Sequence, residues 1–103
     1  MRIVWTQDAR GDLADIYEYV ALNSPYYAAL VVERILESVR QLTSSPLSGR
    51  IVPEVASGEF RELIRGKYRI VYRVRADVVE ILIVFHAARH LTPDDGPERF
   101  DPY

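Results

Sequence analysis

The stretch from Phe60 to His90, FRELIRGKYRIVYRVRADVVEILIVFHAARH, constrains this chain more than any other part of it. Its patterning predicts three consecutive β-strands, Glu59 to Ile64, Tyr68 to Arg75 and Val78 to His86, joined at Gly66-Lys67 and Ala76-Asp77. Alternation in the middle strand puts Tyr68, Ile70, Tyr72 and Val74 on one face and Arg69, Val71, Arg73 and Arg75 on the other. The last strand is apolar at almost every position, as expected of a central strand covered on both faces.

The same stretch concentrates positive charge. It holds seven basic residues (Arg61, Arg65, Lys67, Arg69, Arg73, Arg75, Arg89) and three acidic ones (Glu62, Asp77, Glu80). Residues 1–59 have five basic and eight acidic residues, and residues 91–103 one basic and four acidic. A net charge of −2 therefore hides a positive sheet in a negative surround, a local field that attracts an anionic partner such as nucleic acid or an acidic protein segment.

Upstream, Arg2 to Trp5 reads as a short strand. Thr6 is placed to cap a helix with Asp8 in its first turn and with Ala9, Leu13, Ile16, Tyr17 and Val20 at helical spacing, Asp12, Asp15 and Glu18 lying on other faces. Asn23-Ser24-Pro25 ends that helix and starts a second, Ser24 as N-cap and Pro25 in its first turn. The second runs to about Ser44 on a stripe of Ala28, Val32, Ile35, Leu36, Val39 and Leu42. Residues from Pro46 to Gly58 read as loop, and the Pro-containing acidic tail from Thr92 as irregular. The resulting fold class is α+β with element order β-α-α-β-β-β: a helical hairpin packed on one face of a mainly antiparallel four-stranded sheet. The open face would carry the alternate arginines. Residues 1–90 are expected to form one domain, with 91–103 as its tail.

A chain of 103 residues with 49% apolar content suffices for one packed core. No cysteine is present, which excludes disulfides and Cys-based zinc sites. Two histidines without suitably spaced carboxylates give no credible metal site, and there is no Gly-rich phosphate loop or nucleophile elbow. No cofactor is expected. The N-terminus has no signal-like apolar run and the apolar stretches are too short to span a bilayer, so a cytoplasmic protein is the expectation.

Several pieces, taken in order, resemble the ParE/RelE toxin superfamily of bacterial type II toxin–antitoxin modules, closest to its ParE-like, plasmid-stabilisation branch. They are Trp5 with Ala9, Asp12-Leu13 and Ile16; Pro46-x-x-Gly49-Arg50-x-x-Pro53-Glu54; Arg61-Glu62-Leu63 leading to Tyr68-Arg69-Ile70-Val71-Tyr72-Arg73-Val74; and Val84-x-His86-x-x-Arg89. The resemblance implies a growth-inhibiting toxin neutralised by a partly disordered antitoxin. It also implies one of two targets on a shared fold. ParE-like members resemble one another in poisoning DNA gyrase by protein–protein contact, without being hydrolases. RelE-like members are similar in cutting mRNA on the ribosome.

On the ParE-like reading no residue is catalytic, and Arg61, Arg65, Lys67, Arg69, Arg73 and Arg75 meet acids of the antitoxin. Arg69 and Arg73, about 13 Å apart along one strand face, suit an extended partner better than a single phosphate. On the RelE-like reading Arg61, Arg73, His86 and Arg89 would carry RNA cleavage, the histidine as acid or base and the cations on the phosphorane. Against that alternative stand the single lysine and the absence of a tyrosine between Tyr72 and the terminal Tyr103, where RelE-like nucleases usually place a catalytic group. A histidine at position 86 more readily has a structural role, ending an apolar strand and hydrogen-bonding to backbone or packing against the helices. Arg50 is expected to anchor its loop to Glu54 or Glu62, and the tyrosines to be core or rim. The tail acids (Asp94, Asp95, Glu98, Asp101) offer a cap for the basic face. A member that keeps antitoxin binding without toxicity is the remaining alternative.

Overall fold

The computed structural model describes residues 1–87; the expectations for Arg89, His90 and the acidic tail lie outside the described residues. Five strands and two helices follow one another: β1 (Arg2–Trp5), α1 (Gln7–Ala21), α2 (Pro25–Arg40), β2 (Arg50–Ile51), β3 (Arg61–Arg65), β4 (Tyr68–Arg75) and β5 (Val78–His86), with a 3-10 turn at Gln41–Thr43. The sheet order is β1-β5-β4-β3-β2, β1 running parallel to β5 and the other neighbours antiparallel. The fold class holds, with one addition to the expected sheet. The Pro46–Gly58 segment is not all loop: Arg50 and Ile51 pair with Glu62 and Arg61 as a fifth, edge strand. Two residues between Gly49 and Pro53 are too few to show a periodicity.

Both helix starts are capped as their residues dictate. Thr6 Oγ1 accepts from the Ala9 amide at 3.1 Å, and Ser24 Oγ accepts from the Tyr27 amide at 3.1 Å, satisfying amides that have no intrahelical partner. The buried stripe of α2 is Ala28, Val31, Ile35, Ser38 and Val39, so Val32 and Leu36 flank it rather than lead it. Ser38 is tolerated there because its hydroxyl donates back to the Arg34 carbonyl at 2.9 Å. In α1, Ala9 is buried and Leu13 and Ile16 pack against the core, whereas Tyr17 is exposed.

Two apolar layers sandwich the sheet. Under the helices lie Ile35, Val39, Leu42, Leu63, Ile70, Tyr72, Val79, Ile81 and Val84. On the far face lie Val52, Phe60, Val71, Leu82, Ile83 and Phe85, with Val55 against them. Three of these seven come from the segment 52–60, which folds over the sheet like a strap. Full burial of such a side chain contributes roughly 1.5–3 kcal/mol. A β-bulge completes the arrangement: Val71 pairs with Ile83 and Tyr72 with Ile81, leaving Leu82 as an extra residue. Leu82 and Ile83 therefore both face the far layer, and β5 is apolar at every position but Glu80 and the terminal His86 because both its faces are buried.

Strand β1 is short, and α1 supplies what it leaves unpaired. After the Thr6 amide has bonded to the Ile81 carbonyl at 3.1 Å, the chain turns into the helix. The next amide that looks for a partner on this edge, that of Val84, donates at 3.0 Å to Oδ2 of Asp12. Asp12 is thus half-buried and structural, not a solvated residue on an outer helix face.

Candidate functional site

The far face of the sheet is where an open row of arginines was expected, and that expectation is corrected. Arg69 and Arg73 are only 4% and 2% exposed. Glu62, itself buried on the neighbouring strand, accepts from Arg69 Nε at 2.6 Å and from Arg50 Nε at 2.7 Å. The strap adds Glu54, whose two oxygens take the two terminal nitrogens of Arg69 at 2.8 and 3.0 Å, a bidentate pair. The Glu54 hydrogen bond is the leading cause that raises the Arg69 pKa above its ordinary value, with burial opposing it and Glu62 assisting. Arg73 bonds across to Glu80 at 2.9 Å and reaches the strap's Glu59 at 3.4 Å. Each guanidinium also lies over an aromatic ring, Arg69 over Phe85 at 5.1 Å and Arg73 over Phe60 at 5.9 Å. These cations hold the strap to the sheet.

Arg61 and Arg50 serve the same segment. Arg61 donates to the carbonyls of Gly49 at 2.9 Å and Leu47 at 3.3 Å. The expected loop anchor of Arg50 is its bond to Glu62 rather than Glu54. Between them, Gly49 donates its amide to the buried Tyr72 hydroxyl at 2.9 Å. A Cβ at this glycine would meet the Glu62 carbonyl oxygen and the Tyr72 hydroxyl, each at 2.6 Å, so no larger residue fits. Burial raises the Tyr72 pKa, partly offset by that amide.

The other face offers a different surface. Register places Arg65 opposite Tyr68, and Tyr68 opposite His86, so the three form a row across β3, β4 and β5 on the helix side. The β3–β4 turn passes through Gly66 with φ +58°, a conformation that suits glycine, and its Lys67 carbonyl accepts from the Ala87 amide at 2.6 Å. The Tyr68 and His86 rings meet edge to face with centroids 5.9 Å apart. Facing this row across a cleft of about 810 Å³ are Tyr19 and Val20 of α1 and Tyr27, Val31, Arg34 and Ile35 of α2. Burial raises the Tyr68 pKa, and the phenols of Tyr27 and Tyr19 add to the shift.

With this geometry in place, the comparison with known proteins is direct. The family model for the ParE toxin of the type II toxin–antitoxin system parDE matches residues 3–91. The chain belongs to the ParE toxin family. It is 41% identical over 86 residues to Y4kP of Sinorhizobium fredii, covering 84% of this chain and 88% of that protein. It is 34% identical over 89 residues to toxin RelE2 of Caulobacter vibrioides, covering 85% and 97%. Among solved structures, a chain from the chromosomal ParDE system of P. aeruginosa superposes with a TM-score of 0.69 at 32% identity, covering 84% of this chain and 95% of that one. A chain of the Mycobacterium tuberculosis toxin–antitoxin complex RelBE2 follows at 0.56 and 29%, covering 82% and 95%.

In this ParE-family chain the sequence-picked residues fall into separate places. Arg61, Arg69 and Arg73 bind the chain's own carbonyls and carboxylates. Arg65 and Lys67 are exposed at the cleft, and Arg75 is exposed at the opposite end of β4. His86 lies at the cleft as well. The sequence reading missed that Arg34, Tyr19 and Tyr27 line one cleft with Arg65 and Lys67. Their only signal was the helical spacing from Tyr27 to Arg34, which puts the two on one side of α2. Among the described residues, no group of three His, Cys, Asp or Glu is placed to hold a metal ion, and no helix is long and apolar enough to cross a membrane.

Proposed function

We propose that this type II toxin acts in the ParE manner, inhibiting DNA gyrase by protein–protein contact, and that a cognate antitoxin neutralises it. The observation that carries the reading is the separation of the groups a nuclease would need. Arg73 is buried on the far face between Glu80 and Glu59, while His86 stands on the helix face. His86 pairs with Tyr68, five positions along β4 from Arg73, roughly 17 Å by strand rise. Arg61 is committed to two loop carbonyls. General acid–base and phosphorane-stabilising groups must converge within hydrogen-bond reach of one phosphate, and these do not. The antitoxin is supported by the neighbours, one described as a ParDE system and the other as a toxin–antitoxin complex.

Similarity to toxin RelE2 and to RelBE2 makes ribosome-dependent mRNA cleavage the competing reading. On this chain it would have to use the cleft groups, Arg65, Lys67, Tyr68 and His86, in place of Arg61 and Arg73. Purified toxin titrated into a gyrase supercoiling assay, with message integrity followed in a translating extract, separates the two. Loss of supercoiling at low micromolar toxin with intact messages is expected. Untouched supercoiling with codon-positioned cuts overturns the gyrase target.

A further inference from the structure

The segment that crosses the far face is built as a lid. We propose that residues 53–59 hinge off the sheet while the strands stay folded, with the Glu54–Arg69 pair as latch, and that opening reverses the charge of the far face. The device operates whichever target the toxin has.

Both ends of the segment are fixed. Val52 donates its amide to the Phe60 carbonyl at 2.9 Å, and both side chains are buried in the far layer. Just outside them Ile51 pairs with Arg61 and Arg50 with Glu62. Between those ends the backbone donors turn inward on the segment itself. Val55 donates to the Val52 carbonyl at 3.3 Å, and Glu59 to the Ser57 hydroxyl at 3.3 Å. Among the described residues no backbone-to-backbone bond joins 53–59 to the strands beneath. Within that stretch Val55 is the residue that packs an apolar side chain on the far layer, and it is only half-buried. A loop with closed ends and little apolar burial of its own opens at far less cost than the whole domain.

Charge is what holds the lid down. Glu54 sets its two oxygens on the terminal nitrogens of Arg69, with its side chain 22% exposed. Glu59 reaches Arg73 at 3.4 Å from a side chain 48% exposed. The first pair is bidentate and mostly desolvated, the second long and wet, so Glu54 is the latch. Neither guanidinium depends on the lid alone, because Glu62 stays with Arg69 and Glu80 with Arg73 when it lifts. Without those strand-borne acids, opening would strand a buried charge and the lid would be locked. They leave an imbalance all the same. With the lid shut, Arg50, Arg69 and Arg73 face four carboxylates, Glu54, Glu59, Glu62 and Glu80; with it lifted they face two. The far face then passes from net negative to net positive, and an anion meets attraction where it met repulsion.

The chain has no cysteine, so one introduced thiol reports one place. In full-length toxin, Val55→Cys reads the lid and Val79→Cys reads the layer beneath the helices, with Val39→Cys in its stead if that variant does not fold. Labelling by N-ethylmaleimide, a neutral reagent, is followed by mass spectrometry in urea concentrations below the unfolding transition. At Val55→Cys the rate should lie at least tenfold below that of a free thiol and change less than twofold per molar urea. At Val79→Cys it should be far slower and rise about fivefold per molar, as expected when the whole domain must unfold. Glu54→Gln should speed labelling at Val55→Cys at least tenfold and Glu59→Gln less than threefold, although each removes the same charge. Sodium tripolyphosphate should speed it at least threefold over sodium chloride of equal ionic strength, by holding the positive face open. Parallel urea dependence at the two thiols overturns the lid, since the segment would then open only with the domain. A free-thiol rate in the otherwise unchanged chain overturns it too, because nothing would be latched. Equal acceleration by the two glutamine variants overturns the latch, and no difference between the two salts overturns the charge reversal.

Discussion

Arg69 and Arg65 sit on adjacent strands a few ångströms apart in the ladder, and their surroundings are opposite. Arg69 points to the far face, where Glu62 and Glu54 take its guanidinium and Phe85 lies beneath it. Arg65 points to the helix face, at the mouth of a cleft whose cations have no acidic partner among the described residues. What separates them is strand parity and two acids, Glu54 on the strap and Glu62 on β3. A run of basic residues along a sheet is thus two populations: one that ties the fold together and one that is left for something else. Charge on the sheet says little about an interface until each cation's own partner is known.

The comparison is most strongly tested at Glu62. Its side chain is buried between Arg69 and Arg50, so Glu62→Ala leaves a desolvated guanidinium with Glu54 alone. A loss of about 3 kcal/mol is expected, at the low end for a broken buried pair because Glu54 remains. Urea denaturation at neutral pH checks it, and a loss below about 1 kcal/mol would mean the far face is effectively solvated. Replacing both partners, Glu62→Leu with Arg69→Met, should recover most of the loss, since apolar residues of similar size often match a buried pair.

Next in size is Gly49→Ala. The added methyl collides with the Glu62 carbonyl and the Tyr72 hydroxyl, and both neighbours belong to the packed sheet. Overpacking of this kind costs about 2 kcal/mol. Unfolding free energies of this variant and of Gly11→Ala, where a Cβ meets nothing within 4 Å and alanine favours the helix by up to about 1 kcal/mol, should differ by about 3 kcal/mol. Equal values would show that the strap yields easily.

These two positions also show what the sequence disclosed and what it withheld. Alternation along β4 identified the faces of Tyr68 to Arg75, and the Thr6 and Ser24-Pro25 signals located both helix starts, because those are local properties of the backbone. That the far face is covered was not local. It depends on Val52, Val55 and Phe60 folding back over the sheet, with Glu54 and Glu59 meeting arginines fourteen or fifteen residues away. Read as a loop between Pro46 and Gly58, the strap concealed the fate of Arg69 and Arg73. The cleft was hidden for a similar reason: Arg34 and Arg65 lie thirty-one positions apart, and only the docking of α2 on the sheet brings them to one cavity. The Gly49-Arg50 pair was visible as a motif, while the steric reason for the glycine lies in the Glu62 carbonyl and Tyr72 hydroxyl, brought against it from β3 and β4.

A smaller effect belongs to pH. Tyr72 and Tyr68 are both buried enough that their phenols ionise above the ordinary value of 10.0 in the folded chain. The neutral form is therefore favoured in the folded state. The associated stability is fully present below pH 10 and declines as pH rises past it, because the unfolded chain releases those protons first. Tyr72→Phe should cost about 1 kcal/mol at pH 7 through the lost acceptor for the Gly49 amide. It should also make the fall between pH 9 and 11 shallower, with Tyr68 sustaining what remains. Urea midpoints across that range give both numbers, and an unchanged slope would mean Tyr72 ionises freely when folded.

The smallest stability effect is expected at the cleft. Arg65→Ser/Lys67→Ser removes two exposed cations whose contacts are local, Arg65 Nη1 donating to the Ile64 carbonyl and the Lys67 carbonyl accepting from the Ala87 amide. The latter is a backbone bond and survives the change. Exposed substitutions of this kind stay within about 0.5 kcal/mol, so melting should be indistinguishable from wild type. The contrast with Glu62→Ala is then roughly sixfold in free energy for residues on the same three-stranded core of the sheet. If the serine variant melted much lower, the cleft cations would be holding the hairpin to the sheet, and their availability to a partner would have to be given up. If it melts as expected, any change in toxicity or neutralisation is a change in recognition, because the fold has not moved.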